Sequence, residues 1–173
     1  MISERHITNT GKCLIIITAT FLFLFITSLR VYAQENPPRP PLITKTFDLA
    51  FGAFYHGAAG GTVSVDENDS RSSSGDVVLL GLGYPVSAAR FNINSNPGTL
   101  INILSIPDFT LSWNSYTMLV EIENSNPSLP FVNNNDYSIP TELSFGARLH
   151  VGNSLSNPPG SYSGSFEVTL VIE

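Results

Sequence analysis

Three short groupings in this chain carry residue types that could do chemistry. The run Gly160-Ser161-Tyr162-Ser163-Gly164 sets serines between glycines, but a nucleophile elbow needs its serine at the centre of G-x-S-x-G with a helix behind it. Tyr162 holds the centre and Ser163 opens a strand pattern, so the run reads as a two-glycine turn with an inward Tyr162. The loop Asp66-Glu67-Asn68-Asp69-Ser70 concentrates oxygen ligands, the chemistry that calcium takes, which makes Asp66, Asn68 and Asp69 its calcium candidates. It lacks the D-x-[DN]-x-[DN]-G order and the glutamate at the twelfth position. The competing reading is a solvated hairpin loop held by side-chain-to-backbone bonds, with Arg71 neutralising it. Trp113 and Tyr116, with Phe109 nearby, are the ligand-binding candidates, as an aromatic platform for a sugar or a protein interface. Their alternative is to fill one end of a core.

Nothing else assembles a reaction centre. His56 and His150 are far apart in sequence and have no His-x-x-x-His partner, so a zinc site is not expected. The one cysteine, Cys13, sits in the apolar stretch near the N-terminus, which leaves no thiolate nucleophile and no disulfide framework in the rest of the chain. Catalysis needs a nucleophile with a base, a metal, or two tuned carboxylates. The expectation is therefore a protein that is not an enzyme, with no cofactor, no metal and no catalytic residue.

The elements that would position these groups start after a leader. Arg5 and Lys12 precede an apolar run from Cys13 to Leu29, and Val31-Tyr32-Ala33 offers a cut before Gln34; that order predicts a signal peptide over residues 1–33. Export to the periplasm, the cell surface or the extracellular space follows, with no membrane insertion after cleavage. Pro37, Pro38, Pro40 and Pro41 predict an extended Pro-rich linker over residues 34–42, since proline fixes φ and removes a donor. Residues 43–173 then form one domain. Beyond residue 33 the chain has 5 Lys and Arg against 13 Asp and Glu, so a phosphate-neutralising patch and a nucleic-acid partner are not expected.

Within that domain the apolar residues alternate with a period of two. Ile43, Lys45, Phe47, Leu49 and Phe51 predict a half-buried first strand. A Gly/Ala turn at 57–61 leads to Thr62–Val65, a polar loop covers Asp66–Gly75, and Val77–Leu80 reads as a short buried strand. Further runs are Ala89–Ile93, Leu100–Leu104, Tyr116–Ile122, Phe145–Val151 and Ser163–Ile172. In the Phe145–Val151 run, Ala147, Leu149 and Val151 face in, while Arg148 and His150 face out. In the last run Tyr162, Phe166, Val168, Leu170 and Ile172 share one face. No apolar stripe of helical period and length follows the leader. The prediction is all-β: an immunoglobulin-like or pilin-like antiparallel sandwich of about seven to nine short strands.

Several segments in order resemble the DUF4402 family, a domain of unknown function in exported bacterial proteins. They are Ile43–Gly52, Gly61–Val65, Ala88–Ile93, Ile106-Pro107, the strand around Met118, Phe145–Leu149 and Gly160–Leu170. The ending Gly-x-Tyr-x-Gly-x-Phe-x-Val-Thr is also similar to that of spore-coat-U-like and archaic pilin subunits. Two departures are the Ile172-Glu173 terminus, where the family tends to end on an aromatic, and an expanded Asn/Pro-rich stretch at 124–141. The resemblance implies a surface sandwich without catalytic residues, and fold alone does not supply function. The expected role is a structural or adhesive subunit that meets protein partners or its own copies through an edge strand. The Pro-rich stretch Asn36–Pro41 counts against self-donation of a strand. The alternative is a monomeric carbohydrate- or calcium-binding module.

Overall fold

A computed structural model describes residues 39–172. The expected signal peptide and all but the end of the linker lie outside the described residues. The domain is all-β and antiparallel throughout, and β11 (Thr141–Val151) is its hub. The first half of β11 pairs with β6 (Ala89–Asn94), from Thr141↔Ile93 to Phe145↔Ala89. Its second half pairs along the same edge with β3 (Ala53–Val65), from Ala147↔Val65 to Val151↔Gly61. The opposite edge carries β9 (Tyr116–Asn126). The change of partner falls at Gly146, where a Cβ would stand 2.9 Å from the Glu67 amide nitrogen and 3.0 Å from Asp66. A residue without a side chain is what lets the turn after β3 close onto β11.

The outer strands follow from this hub. β1 (Leu42–Phe47) edges β6, β4 (Arg71–Leu80) edges β3, and β8 (Phe109–Trp113) edges β9. A separate sheet runs β10 (Phe131–Val132), β7 (Leu100–Ser105), β12 (Thr169–Ile172), and β2 (Ala50–Phe51) pairs with β5 (Val86–Ser87). Two apolar clusters result. One is built on Val63, Val65, Val120, Ala147 and Leu149; the other is built on Ala89, Ile93, Ile101, Leu143 and Phe145 and is covered by Phe131, Phe166 and Leu170. Each fully buried aliphatic or aromatic side chain contributes about 1.5–3 kcal/mol.

The β3–β4 hairpin supplies both layers over the first cluster. Arg71 pairs with Val65 and Leu80 with Ala53, positions that an extended strand would hold roughly 30 Å apart. Yet the Arg71 guanidinium donates to the carbonyls of Phe51 (2.9 Å), Ala53 (3.1 Å) and Leu80 (3.1 Å). The hairpin therefore doubles back, and the register shift between His56 and Gly61 marks the bend. Gly60 and Gly75 hold φ values of +68° and +71° there, which glycine adopts without steric cost. The doubled-back part lays Phe54, Val77 and Leu79 onto the cluster.

Several strand predictions change. Twelve strands occur among the described residues, because the first expected run is split in two and β5, β8 and β10 form outside the expected runs. The first strand breaks after Phe47, and β1 is exposed along its whole length. Ile43 pairs with the fully buried Ile93 but is itself 43 % exposed, because β1 is the sheet's edge and little lies over it. The 57–61 segment is a bulge inside β3 rather than a turn, and the polar loop ends at Ser70, since β4 begins at Arg71. Val77–Leu80 is buried on one face only, with Val78 54 % exposed. β8 has no counterpart among the expected runs, β9 extends to Asn126, and the final strand is limited to Thr169–Ile172. Before it, Ser163 makes an isolated bridge to Ser112 while Phe166 and Val168 still turn inward as the alternation predicts. The chain there is crossing from the β8 edge to β7, so it cannot hold one ladder.

Candidate functional site

The loop Asp66–Ser70 joins β3 to β4, and its oxygens are used by the fold. Asp66 Oδ1 accepts from the amides of Asn68 (2.9 Å) and Ser70 (2.6 Å), an Asx-type closure. Asn68 donates its side-chain amide to Glu67 at 3.2 Å. Asp69, at φ +67°, reaches across to β6: one oxygen accepts from the Ala88 amide at 2.7 Å and the other pairs with the Arg90 guanidinium. The cation that neutralises this loop is therefore Arg90, whose other nitrogen faces Glu142 at 3.8 Å. Arg71, expected in that role, instead staples the doubled-back hairpin. No cluster of three His, Cys, Asp or Glu side chains that could hold a metal occurs among the described residues.

The aromatic candidates come together. Trp113 and Tyr116 are paired across the two-residue turn of the β8–β9 hairpin, where Asn114 takes φ +55°. Because Leu111 and the buried Met118 form the next pair but one in the same register, both rings lie on the core side of the sheet. Trp113 stacks on Tyr116 at 6.2 Å between centroids and tilts against Tyr162 at 6.0 Å. Gly160 packs so closely over the indole that any Cβ would overlap it. This is the core-end arrangement, with Tyr116 at its rim, 36 % exposed. The Tyr162 hydroxyl donates to the Pro158 carbonyl at 2.9 Å. Burial raises its pKa above 10.0, the Asn157 side chain opposes that shift, and Tyr116 adds to it.

The remaining polar groups serve the same end. His56 lies within β3, with Nε2 2.8 Å from the Asn157 carbonyl and Nδ1 3.2 Å from that of Gly57. Asn157, buried, donates to the Thr117 carbonyl and accepts from the Gly152 amide, so it ties the 152–157 loop to two strands. His150 and Arg148 do face outward, opposite Glu121 and Glu123 on β9. An open cleft of about 360 Å³ lies beside them, lined by Ser64, Arg71, Glu123 and Gly146 among others. Its two arginines, Arg71 and Arg148, are already bonded within the domain. In the 124–141 stretch, the buried Asn133 donates to Ser95 and Asn135 carbonyls and accepts from Thr141, while Leu129 and Phe131 cover the second cluster. Tyr137 donates to the Pro40 carbonyl and lies under the Arg39 guanidinium, clamping the incoming chain.

What sequence reasoning missed is apolar and outward. Tyr55 on β3 and Val78 on β4 are direct cross-strand partners, 60 % and 54 % exposed. The run Val77-Val78-Leu79-Leu80 carries no polar residue to show which face is wet, so nothing in the pattern marked Val78 as outward.

Fold and site together define an antiparallel β-sandwich module in which Asp66, Asn68, Asp69, Arg71 and His56 are bonded within the domain itself. Residues 42–171 match the family described as a domain of unknown function, DUF4402, and the chain belongs to that family. No curated protein and no solved structure matches the chain significantly.

Proposed function

We propose that this chain is an exported, non-catalytic structural or adhesive subunit of the periplasm or cell surface, pilin-like in kind, that engages protein partners through strand edges. One observation carries the reading. Side chains able to do chemistry are bonded to the domain's own backbone, as Arg71 and His56 are, while large apolar side chains stand exposed on edge strands, as Leu42, Phe47 and Val78 do. An enzyme shows the reverse, with reactive groups held free in a cleft. The similarity of Gly160–Thr169 to the endings of spore-coat-U-like and archaic pilin subunits adds support. The leader read over residues 1–33 provides the route of export. Fractionation of the producing cell, followed by protease shaving of intact cells, tests the proposal. Recovery outside the cytoplasm with the leader removed is expected, and a cytoplasmic protein of unprocessed mass would end it.

A further inference from the structure

We propose that two copies of this chain pair edge to edge through β4, antiparallel and symmetric about Val78. The inference deepens the structural reading above and rests on it. Among the described residues β4 pairs on one side only, with β3, so its outer edge has no ladder partner. The Val77 carbonyl accepts from the Ser73 hydroxyl at 3.0 Å and the Leu80 carbonyl from Arg71 at 3.1 Å, and each keeps a second lone pair for a further donor.

Most other edges are guarded, and β12, which is also open on one side and uncharged, is only four residues long. β1 has Pro41 before it, Lys45 at its middle and a register irregularity at Thr46, the devices that block strand addition. The β8 edge is bridged at Ser112 by Ser163, and β10 is two residues long. β4 ends in Val77-Val78-Leu79-Leu80 with no charge and no proline. Gly75, at φ +71°, bends the strand just before this run, and Gly81 follows it, so the straight, pairable stretch is Asp76–Leu80.

That stretch is complementary to itself. An antiparallel twofold at Val78 sets Val78 against Val78, Val77 against Leu79, and Asp76 against Leu80 of the second copy. On one face it joins the two exposed Tyr55–Val78 pairs into a single apolar patch; cross-strand aromatic and β-branched pairs of this kind stabilise a ladder. The two Asp76 carboxylates fall four residues apart along the junction, roughly 13 Å, beyond the ~10 Å screening length at 0.1 M salt. A symmetric closed pair is also the commonest form of homo-oligomer. Because the domain is acidic overall, the copies repel at long range, and added salt should tighten the pair rather than loosen it.

The test uses the full chain, exported and purified from the host periplasm. Light scattering over a wide concentration series should show the mass doubling, at lower protein concentration when salt is raised. Val78→Lys should remain monomeric with an unchanged thermal midpoint. Val78→Cys, whose only rival thiol is Cys13 within residues 1–33, should form a disulfide-linked dimer under mild oxidation, since the twofold sets the two residue-78 Cβ atoms within cross-strand distance. Thr44→Cys on β1 is the control and should not. A wild-type chain that stays monomeric throughout, or a Thr44→Cys variant that cross-links more readily than Val78→Cys, overturns the proposal. Either result leaves the fractionation test of the structural reading standing on its own.

Discussion

Gly160 has to be small because the Trp113 indole occupies the space its side chain would take. Gly160→Ala should cost about 1–3 kcal/mol, as overpacking does, and because Trp113 is the sole tryptophan the displacement can be followed by its fluorescence during unfolding. Arg71 answers a different need, satisfying three carbonyls where the β3–β4 hairpin doubles back. Arg71→Met keeps much of the length and removes the donors, and about 2–4 kcal/mol of lost stability is expected in urea unfolding. Tyr162 links stability to pH. Its folded pKa is raised by burial, so its contribution is complete below the unfolded value of about 10 and is lost as pH rises through the folded value. The thermal midpoint of the wild type should therefore fall above about pH 10, and Tyr162→Phe should lower the midpoint at neutral pH through its lost hydrogen bond while flattening that alkaline decline. An equally steep decline in the variant would assign it to other tyrosines.

At the scale of elements, the C-terminal stretch carries more weight than its four-residue strand suggests. Phe166 stacks on Phe109 at 4.7 Å, and Phe166, Val168 and Leu170 all pack on the second apolar cluster. Even half-buried, these side chains contribute on the order of 1 kcal/mol each, against a total stability of about 5–15 kcal/mol for a domain. Removing residues 164–173 should abolish the cooperative transition in thermal unfolding; a truncated chain that melts sharply within a few degrees of the wild type would show that the stretch is ornamental. The Asn/Pro-rich 124–141 stretch belongs at this scale too. Asn133 makes it an ordered clamp rather than an open loop: its side chain satisfies backbone groups from the 95–96 and 133–135 segments at once.

At the scale of the whole molecule, local pattern and tertiary arrangement divided the work. The period-2 alternation, the Pro, Gly, Asn and Ser punctuation and the missing helical stripe determined an all-β antiparallel fold by themselves. They also determined which residues of β11 point inward, since Ala147, Leu149 and Val151 are buried and Arg148 and His150 are not fully so. These follow from the geometry of a single strand, in which neighbouring side chains take opposite faces. Tertiary structure alone decided which strands stand at an edge. Ile43 and Ile93 carry the same side chain in direct register, yet one is exposed and the other buried, because burial depends on the layer opposite and not on the strand itself. It alone decided that Arg71 would staple a bent hairpin and Arg90 would take Asp69, since side-chain pairing across twenty residues depends on where bulges fold the chain. It also decided that Trp113 would be covered and Val78 exposed. A sequence records how apolar each residue is, whereas the free energy of exposing it is set by neighbours that only the folded chain brings together.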